Sequence, residues 1–301
     1  MNSERARIWV GFVIISLVWG STWLAIKIGL TSVPPFFAAG IRFLIASVVL
    51  YLILRLRGLS ITFTPETRKL YAALIFLSYS IPFALVYWGQ QYIPSGLSSI
   101  LFGAYPFSVA IFSHLLLAKE RLTWFKIAGI VFGFVGIVII FSGDVHWTET
   151  AGVLGMACIL VSTVMQALAV VLIKKYGQPI SPFVMNFVGM LGGGAILGLL
   201  GLATESFSDI VWNTAAVGSI LYLAIIGSVL AFVTYHWLLK RIEAVYLSLV
   251  SFINPIIAVV LGAIVLRETL APSVFIGASC VLAGILVANG KQIVGRIVNH
   301  S

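Results

Sequence analysis

Charge is scarce in this sequence. Of 301 residues 61% are hydrophobic, only 9% are charged, and Asp and Glu together number nine. A water-soluble domain carries about 25% charged residues, and a chain this apolar has too few charges to cover a core in water. An ordinary soluble protein is thereby excluded, and lipid is left as the covering solvent. Histidine and cysteine are also rare. Cys158 and Cys280 each lie inside an apolar run with no His or second Cys nearby. A metal site needs more ligands than that, so no metal and no redox framework are read, and both cysteines are taken as packing residues. No glycine-rich loop of the phosphate-cradling kind occurs, which removes direct use of ATP and leaves no cofactor implied. The net charge of +9 comes from bases in short runs between apolar stretches. No basic face exists to lie on a phosphate backbone, and nucleic acid is excluded as a partner.

Long apolar runs are what the chain has in plenty, with a mean hydropathy of +1.13. A helix needs about 20 predominantly apolar residues to cross the hydrocarbon core. Ten stretches qualify: 8–29, 35–56, 69–91, 95–117, 123–142, 151–173, 181–203, 213–239, 244–266 and 271–290. They lack the alternation of barrel strands. The first follows the basic flank MNSERARIW, runs past signal-peptide length and has no small-residue cleavage site, so it is read as a retained helix. The expected fold is an all-α integral membrane protein of ten transmembrane helices. With the amino terminus in the cytoplasm, every Lys and Arg except Lys27, Arg42 and Arg267 falls on the cytoplasmic side. That bias is the positive-inside pattern, and it predicts that both termini are cytoplasmic.

The chain also repeats itself. Lys27 and Pro35 match Lys174 and Pro182 at an offset of 147. Phe83, Trp88, Ile93 and Pro106 match Phe232, Trp237, Ile242 and Pro255 at 149, and Glu120, Leu122, Gly129 and Gly136 match Glu268, Leu270, Gly277 and Gly284 at 148. Residues 1–143 and 144–301 are therefore read as two five-helix repeats. Five is odd, so the second repeat enters the membrane in the opposite sense, an arrangement common among secondary transporters.

The stretches VWGSTWLAIKIGL, IRFLIASVVL, YIPSGLSSILFGAYPFSVAIF and LLAKERLTWFKIAGIVFGFVGIVII carry a recognisable pattern. SLVSFINPIIAVVLGAIVLRETLAPSVFIGASCVLAGILV repeats it in the second half. Nearly the whole chain resembles the EamA-type transporters of the drug/metabolite transporter superfamily. The resemblance implies export of amino acids, aromatic ones among them, or of other small metabolites by alternating access. It also implies a non-enzymatic protein whose partners are a small-molecule substrate and the bilayer; a monomer is compatible with it. The alternatives are a nucleotide-sugar or other organic-anion carrier of the same superfamily and, further off, a membrane-embedded lipid-modifying enzyme. The halves are not equivalent: Gly189 stands opposite Arg42, and Gln166 opposite Trp19.

A site in a repeat transporter lies near the midplane between the halves. Residues at that depth with a polar handle or an amphipathic ring are Trp19, Thr22, Arg42, Tyr79, Tyr105, Gln166 and Asn254, expected to face a central cavity and contact substrate. Each single Ser or Thr is otherwise helix glue, and each lone aromatic otherwise packing. Pro82, Pro106 and Pro255 are expected to break or bend their helices, since proline lacks the N–H and clashes with the preceding turn. Arg42 has no acidic side chain within any span to pair with. It is expected to bond carbonyls and hydroxyls in the bundle or to meet an anion, with the anchor reading favoured; either beats facing lipid. Lys27, near a helix end, is expected to snorkel. Glu120 and Glu268 read as capping residues, and Gly129/Gly133 and Gly189/Gly193 as small-residue packing pairs.

Overall fold

A computed structural model describes residues 3–117, 124–142, 150–208, 210–248 and 250–298. Glu120 and the boundary expected at 143/144 lie outside the described residues. Among those described there is helix and no strand. In lipid a backbone N–H or C=O finds no water, so an apolar run must satisfy its own peptide groups by coiling.

The helices are α1 (Ser3–Gly29), α2 (Pro35–Leu56), α3 (Pro65–Leu74), α4 (Ile81–Tyr92), α5 (Ser95–Phe102), α6 (Tyr105–Leu116) and α7 (Trp124–Ser142). They are followed by α8 (Thr150–Tyr176), α9 (Pro182–Thr204), α10 (Thr214–Ala224), α11 (Ala231–Leu239), α12 (Ala244–Ser248), α13 (Val250–Val265) and α14 (Pro272–Val298). Single π-helical segments, Ile75–Ser80 and Ile225–Leu230, join α3 to α4 and α10 to α11 without a break. Eight continuous stretches among the described residues are long and apolar enough to cross a membrane. The expected spans 123–142 and 271–290 contribute the shorter apolar stretches Ile127–Ile140 and Pro272–Gly284. Large apolar side chains stand on the outside, Trp124 at 82% and Ile264 at 72% exposure, where only lipid makes them stable.

Helix ends are set by local chemistry. Pro35, Pro65 and Pro182 sit in the first turn, where the missing N–H costs nothing. Thr64 and Thr67 form a reciprocal capping box at α3, and the Asn213 side chain accepts from Ala216 N at 2.8 Å at α10. Two carboxylates cap helices far away in sequence. Glu205 accepts from Phe36 N and Phe37 N at 2.7 and 2.8 Å, at the start of α2. Glu268 accepts from Ser95 N and Ser95 Oγ at 2.8 Å and from Gly96 N at 3.2 Å, at the start of α5. Glu268 is thus a cap, as expected, but for a helix of the opposite half.

Lys27 departs from expectation. Its Nζ donates to the carbonyls of Gln90, Gln91 and Ile93 at 2.7, 3.2 and 3.0 Å, closing the end of α4 in place of snorkelling. Lys174, its repeat counterpart, donates to Leu239 O and Ile242 O at 2.5 and 2.7 Å, the positions 149 residues after Gln90 and Ile93. Unpaired helix-terminal carbonyls carry partial negative charge, and an ammonium is the group that satisfies several of them at once.

The most extensive helix pairings join α2 with α9 and α7 with α14. Their registers run in opposite senses. A Cβ on Gly136 would fall 2.5 Å from Gly277 O, and one on Gly284 would fall 2.5 Å from Gly129 O. Gly40 meets Gly198 in the same way, and Gly194 meets Phe43 and Leu44. As numbers rise along one helix they fall along its partner, so each pair is antiparallel. Any larger side chain at these glycines would drive backbone from backbone.

The three prolines act differently from one another. Pro82 follows the first π segment at the start of α4. Pro106 does not bend a continuous helix. It opens α6 after a turn at Gly103 and Ala104, whose N–H groups reach Ile100 O and Leu101 O at 2.9 and 3.1 Å. Pro255 alone lies inside a helix, α13.

Candidate substrate cavity

A cavity opens among α1, α2, α4, α5, α6, α8, α11 and α13, with about 790 Å³ of space between atoms, its open part included. It receives Trp19, Thr22, Arg42, Tyr105, Gln166 and Asn254 from the expected set. Tyr79 is not on its wall. That ring is wholly buried, with its OH donating to Asn186 Oδ1 at 2.5 Å and its edge against Phe43 at 5.3 Å between centroids. The glycines Gly189 and Gly193 are small because Tyr79 lies on them: a Cβ there would sit 2.4 and 2.5 Å from its side-chain atoms.

The remaining lining was not expected from the sequence: Trp23, Ile26, Ser78, Phe83, Val86, Phe102, Val170, Ile173, Phe232, Tyr235, His236 and Ser251. A signal for much of it was present. Positions 147 or 149 apart fall on the wall together: Trp19 with Gln166, Trp23 with Val170, Ile26 with Ile173, Phe83 with Phe232, Val86 with Tyr235, Phe102 with Ser251, and Tyr105 with Asn254. The Phe83/Phe232 match marks the repeat in the sequence, and both rings face the cavity. Five of these seven pairs carry unlike side chains: the first half supplies most of the aromatic surface, and the second supplies both amides.

The aromatic side is tightly cross-braced. Trp19 meets Phe232 and Tyr235 at centroid distances of 5.1 and 4.9 Å, and Trp23 meets Phe102 at 5.5 Å. Phe102 and Tyr105 stack at 5.2 Å with only 15° between their planes. One helical turn separates them, so the stack survives the Gly103–Ala104 turn because that turn remains helical in sense. Tyr105 and Tyr235 share a hydroxyl–hydroxyl bond of 2.8 Å that ties α6 to α11 across the halves. Trp19 Nε1 donates to Gly227 O at 3.4 Å, and the Thr22 hydroxyl is turned back to Trp19 O at 2.8 Å.

The polar side is quieter. Gln166 Nε2 reaches Ser162 Oγ on its own helix at 3.0 Å. Asn254 donates its amide to Val250 O and Ser16 O, both at 3.1 Å, in the orientation that satisfies those groups. Pro255 frees the carbonyl of Ser251, four residues earlier, because it has no N–H to return to it. His236 is buried, and its Nδ1 has no hydrogen-bond partner among the described residues.

Arg42 is the cation of the wall, and only 2% of it is exposed. Nε donates to Ser228 Oγ at 2.9 Å, Nη1 to Tyr87 OH at 3.3 Å and Nη2 to Gly227 O at 3.5 Å. Its Cζ lies 5.1 and 5.0 Å from the centres of the Phe43 and Phe83 rings. Gly227 and Ser228 belong to the second π segment. A π turn displaces carbonyls from the regular helical ladder, and here Gly227 O accepts from both Arg42 and Trp19. No group of three or more His, Cys, Asp or Glu that could hold a metal occurs among the described residues.

The same family model, the EamA-like transporter family, matches the chain twice, over residues 7–142 and 153–290. Relatives agree. The "Uncharacterized transporter YoaV" of Bacillus subtilis is 27% identical over 93% of this chain and 96% of its own length. "Protein PagO" of Salmonella typhimurium is 30% identical over 85% of this chain and 84% of its own. The "Uncharacterized inner membrane transporter YedA" of Escherichia coli is 28% identical, over 92% and 89%. One solved crystal structure has the same fold, with a TM-score of 0.71 at 20% identity over 94% of this chain and 97% of the other. Doubled family match, multi-span helical fold and transporter relatives lead to one conclusion. The chain is a multi-span membrane transporter and belongs to the EamA-like transporter family, within the drug/metabolite transporter superfamily.

Proposed function

We propose that the chain is a secondary transporter exporting a small amphipathic metabolite, an amino acid or close relative, across a bacterial inner membrane by alternating access. Ten spans in two inverted five-helix halves, with both termini cytoplasmic, form the machine. The observation that carries this reading is the cavity wall, built from equivalent positions of the two halves. A hollow between exchangeable halves is what alternating access requires. The antiparallel pairing of α2 with its counterpart α9, and of α7 with α14, supports the inversion. The aromatic surface on one side and amides on the other suit a solute with an apolar body and polar ends. The described carboxylates cap helices or lie near helix ends, away from the cavity, which favours uniport or exchange over proton coupling.

A nucleotide-sugar cargo fits less well. A diphosphate needs gathered cations, whereas Lys27 is held by three carbonyls and, among the described residues, only Arg42 reaches the cavity. Labelled amino acids loaded into proteoliposomes test the proposal. Efflux above that of protein-free vesicles, unchanged by a pH gradient, is expected; transport confined to nucleotide sugars would overturn the substrate class. Reporters fused within residues 143–150 should report the side opposite the amino terminus, and a cytoplasmic signal there would end the inverted arrangement.

A further inference from the structure

Arg42 sits seven residues into α2, about 10 Å along the helix, and is closed off from lipid. A guanidinium has five N–H donors. Here three bonds go to neutral acceptors, two of them at the long end of the range, and two phenyl rings flank the group. No Asp or Glu among the described residues meets it. Glu205 and Glu268 are committed to backbone N–H groups, and Glu66 and Glu243 are exposed. A buried charge is costly unless an opposite charge and good hydrogen bonds compensate it.

The other half indicates that the fold does not require this cation. At the offsets of 147 and 149, Arg42 corresponds to Gly189, and its partner Ser228 corresponds to Tyr79. The contact is kept with the bulk reversed, because Gly189 packs on the Tyr79 ring. Each junction joins the second helix of one half to the π segment of the other; one sets an arginine on a serine, and the other sets a tyrosine on a glycine with no charge at all. Packing alone therefore leaves the guanidinium unexplained, and it stands on the cavity wall beside Phe83.

We propose that Arg42 is the anion receptor of the cavity and takes the carboxylate of a monoanionic or zwitterionic organic acid whose flat apolar body lies against the aromatic wall. This rests on the transporter reading above. A planar fork matches a carboxylate two bonds at a time. One cation balances one carboxylate and undercompensates a phosphate dianion. Binding would replace the long bonds to Tyr87 and Gly227 with short charged ones, so the cargo acts on the π segment that Arg42 holds.

The test uses the full-length chain purified in detergent and probes sharing one ring: L-phenylalanine, 3-phenylpropionate, L-phenylalaninamide, 2-phenylethylamine and benzyl phosphate. Affinities are read from thermal stabilisation. The two carboxylates should bind at least about tenfold more tightly than the amide and the amine. In Arg42→Gln that preference should vanish, and Arg42→Lys should keep part of it; the wild-type probe series stands even where a variant fails to fold. Equal binding of acid and amide would overturn the receptor role and leave the transporter reading intact. Tighter binding of benzyl phosphate would overturn the carboxylate assignment. Absence of flux for every solute in proteoliposomes would instead sink the transporter reading itself.

Discussion

Trp19 and Tyr79 are both aromatic, both at mid-depth, and differ in what they face. Trp19 lies on the cavity, braced by Phe232 and Tyr235. Trp19→Ala should therefore cut flux in proteoliposomes at least about tenfold while the thermal midpoint falls less than in Tyr79→Ala, because Trp19 is only partly buried. A large fall in thermal midpoint with normal flux would reverse that assignment. Tyr79 is packing. Tyr79→Ala should cost about 3–5 kcal/mol, as large-to-small core changes do, and Tyr79→Phe about 1 kcal/mol for the bond to Asn186. Denaturation of the detergent-purified variants checks both values. The sequence could place these residues by depth but not by face. A span bathed in lipid is apolar all round, so no polar stripe marks which side looks inward. The π segment ending at Ser80 adds a residue to one turn, which rotates the rest of that span by about 100°. Trp19, Tyr105, Gln166 and Asn254 were legible because each carries a polar group where polar groups are expensive.

At the scale of elements, helix ends are held by charges from distant parts of the chain. Glu268 holds the start of α5, and Lys27 and Lys174 close the ends of α4 and α11. Glu268→Gln keeps one acceptor and loses the charge at a helix N-terminus, so it should destabilise the protein by about 1–2 kcal/mol. Thermal unfolding measures this, and an unchanged midpoint would show the cap to be dispensable. The long spans were legible from hydropathy, because helix length is set by membrane thickness. The Gly103–Ala104 turn and the two π segments were not. Each changes only a few hydrogen bonds inside an unbroken apolar run, and composition does not register that. Pro106 was recognisable as a perturbation, but the sequence could not tell a bend from a fresh start.

For the whole molecule, the repeat was readable from spacing alone, and its offsets pair the residues that share the cavity. What spacing could not give was the partnership of two helices with their own counterparts, α2 with α9 and α7 with α14, since glycine contacts depend on rotation about each axis. The buried guanidinium of Arg42 bears on energetics at this scale. The empty carrier holds a fixed positive charge inside the bilayer, and a bound carboxylate neutralises it. Each turnover with a monoanion then moves one net negative charge through the membrane field, worth about 2.3 kcal/mol per 100 mV. With a negative interior that work favours exit. A potassium diffusion potential set by valinomycin should accelerate 3-phenylpropionate efflux when the vesicle interior is negative and slow it when positive, above the leak of protein-free vesicles. Equal rates at both polarities would contradict it. On the export reading proposed above, a monoanionic cargo needs no proton or sodium partner to run outward, because the resting voltage already drives it; a zwitterion gains nothing from that voltage.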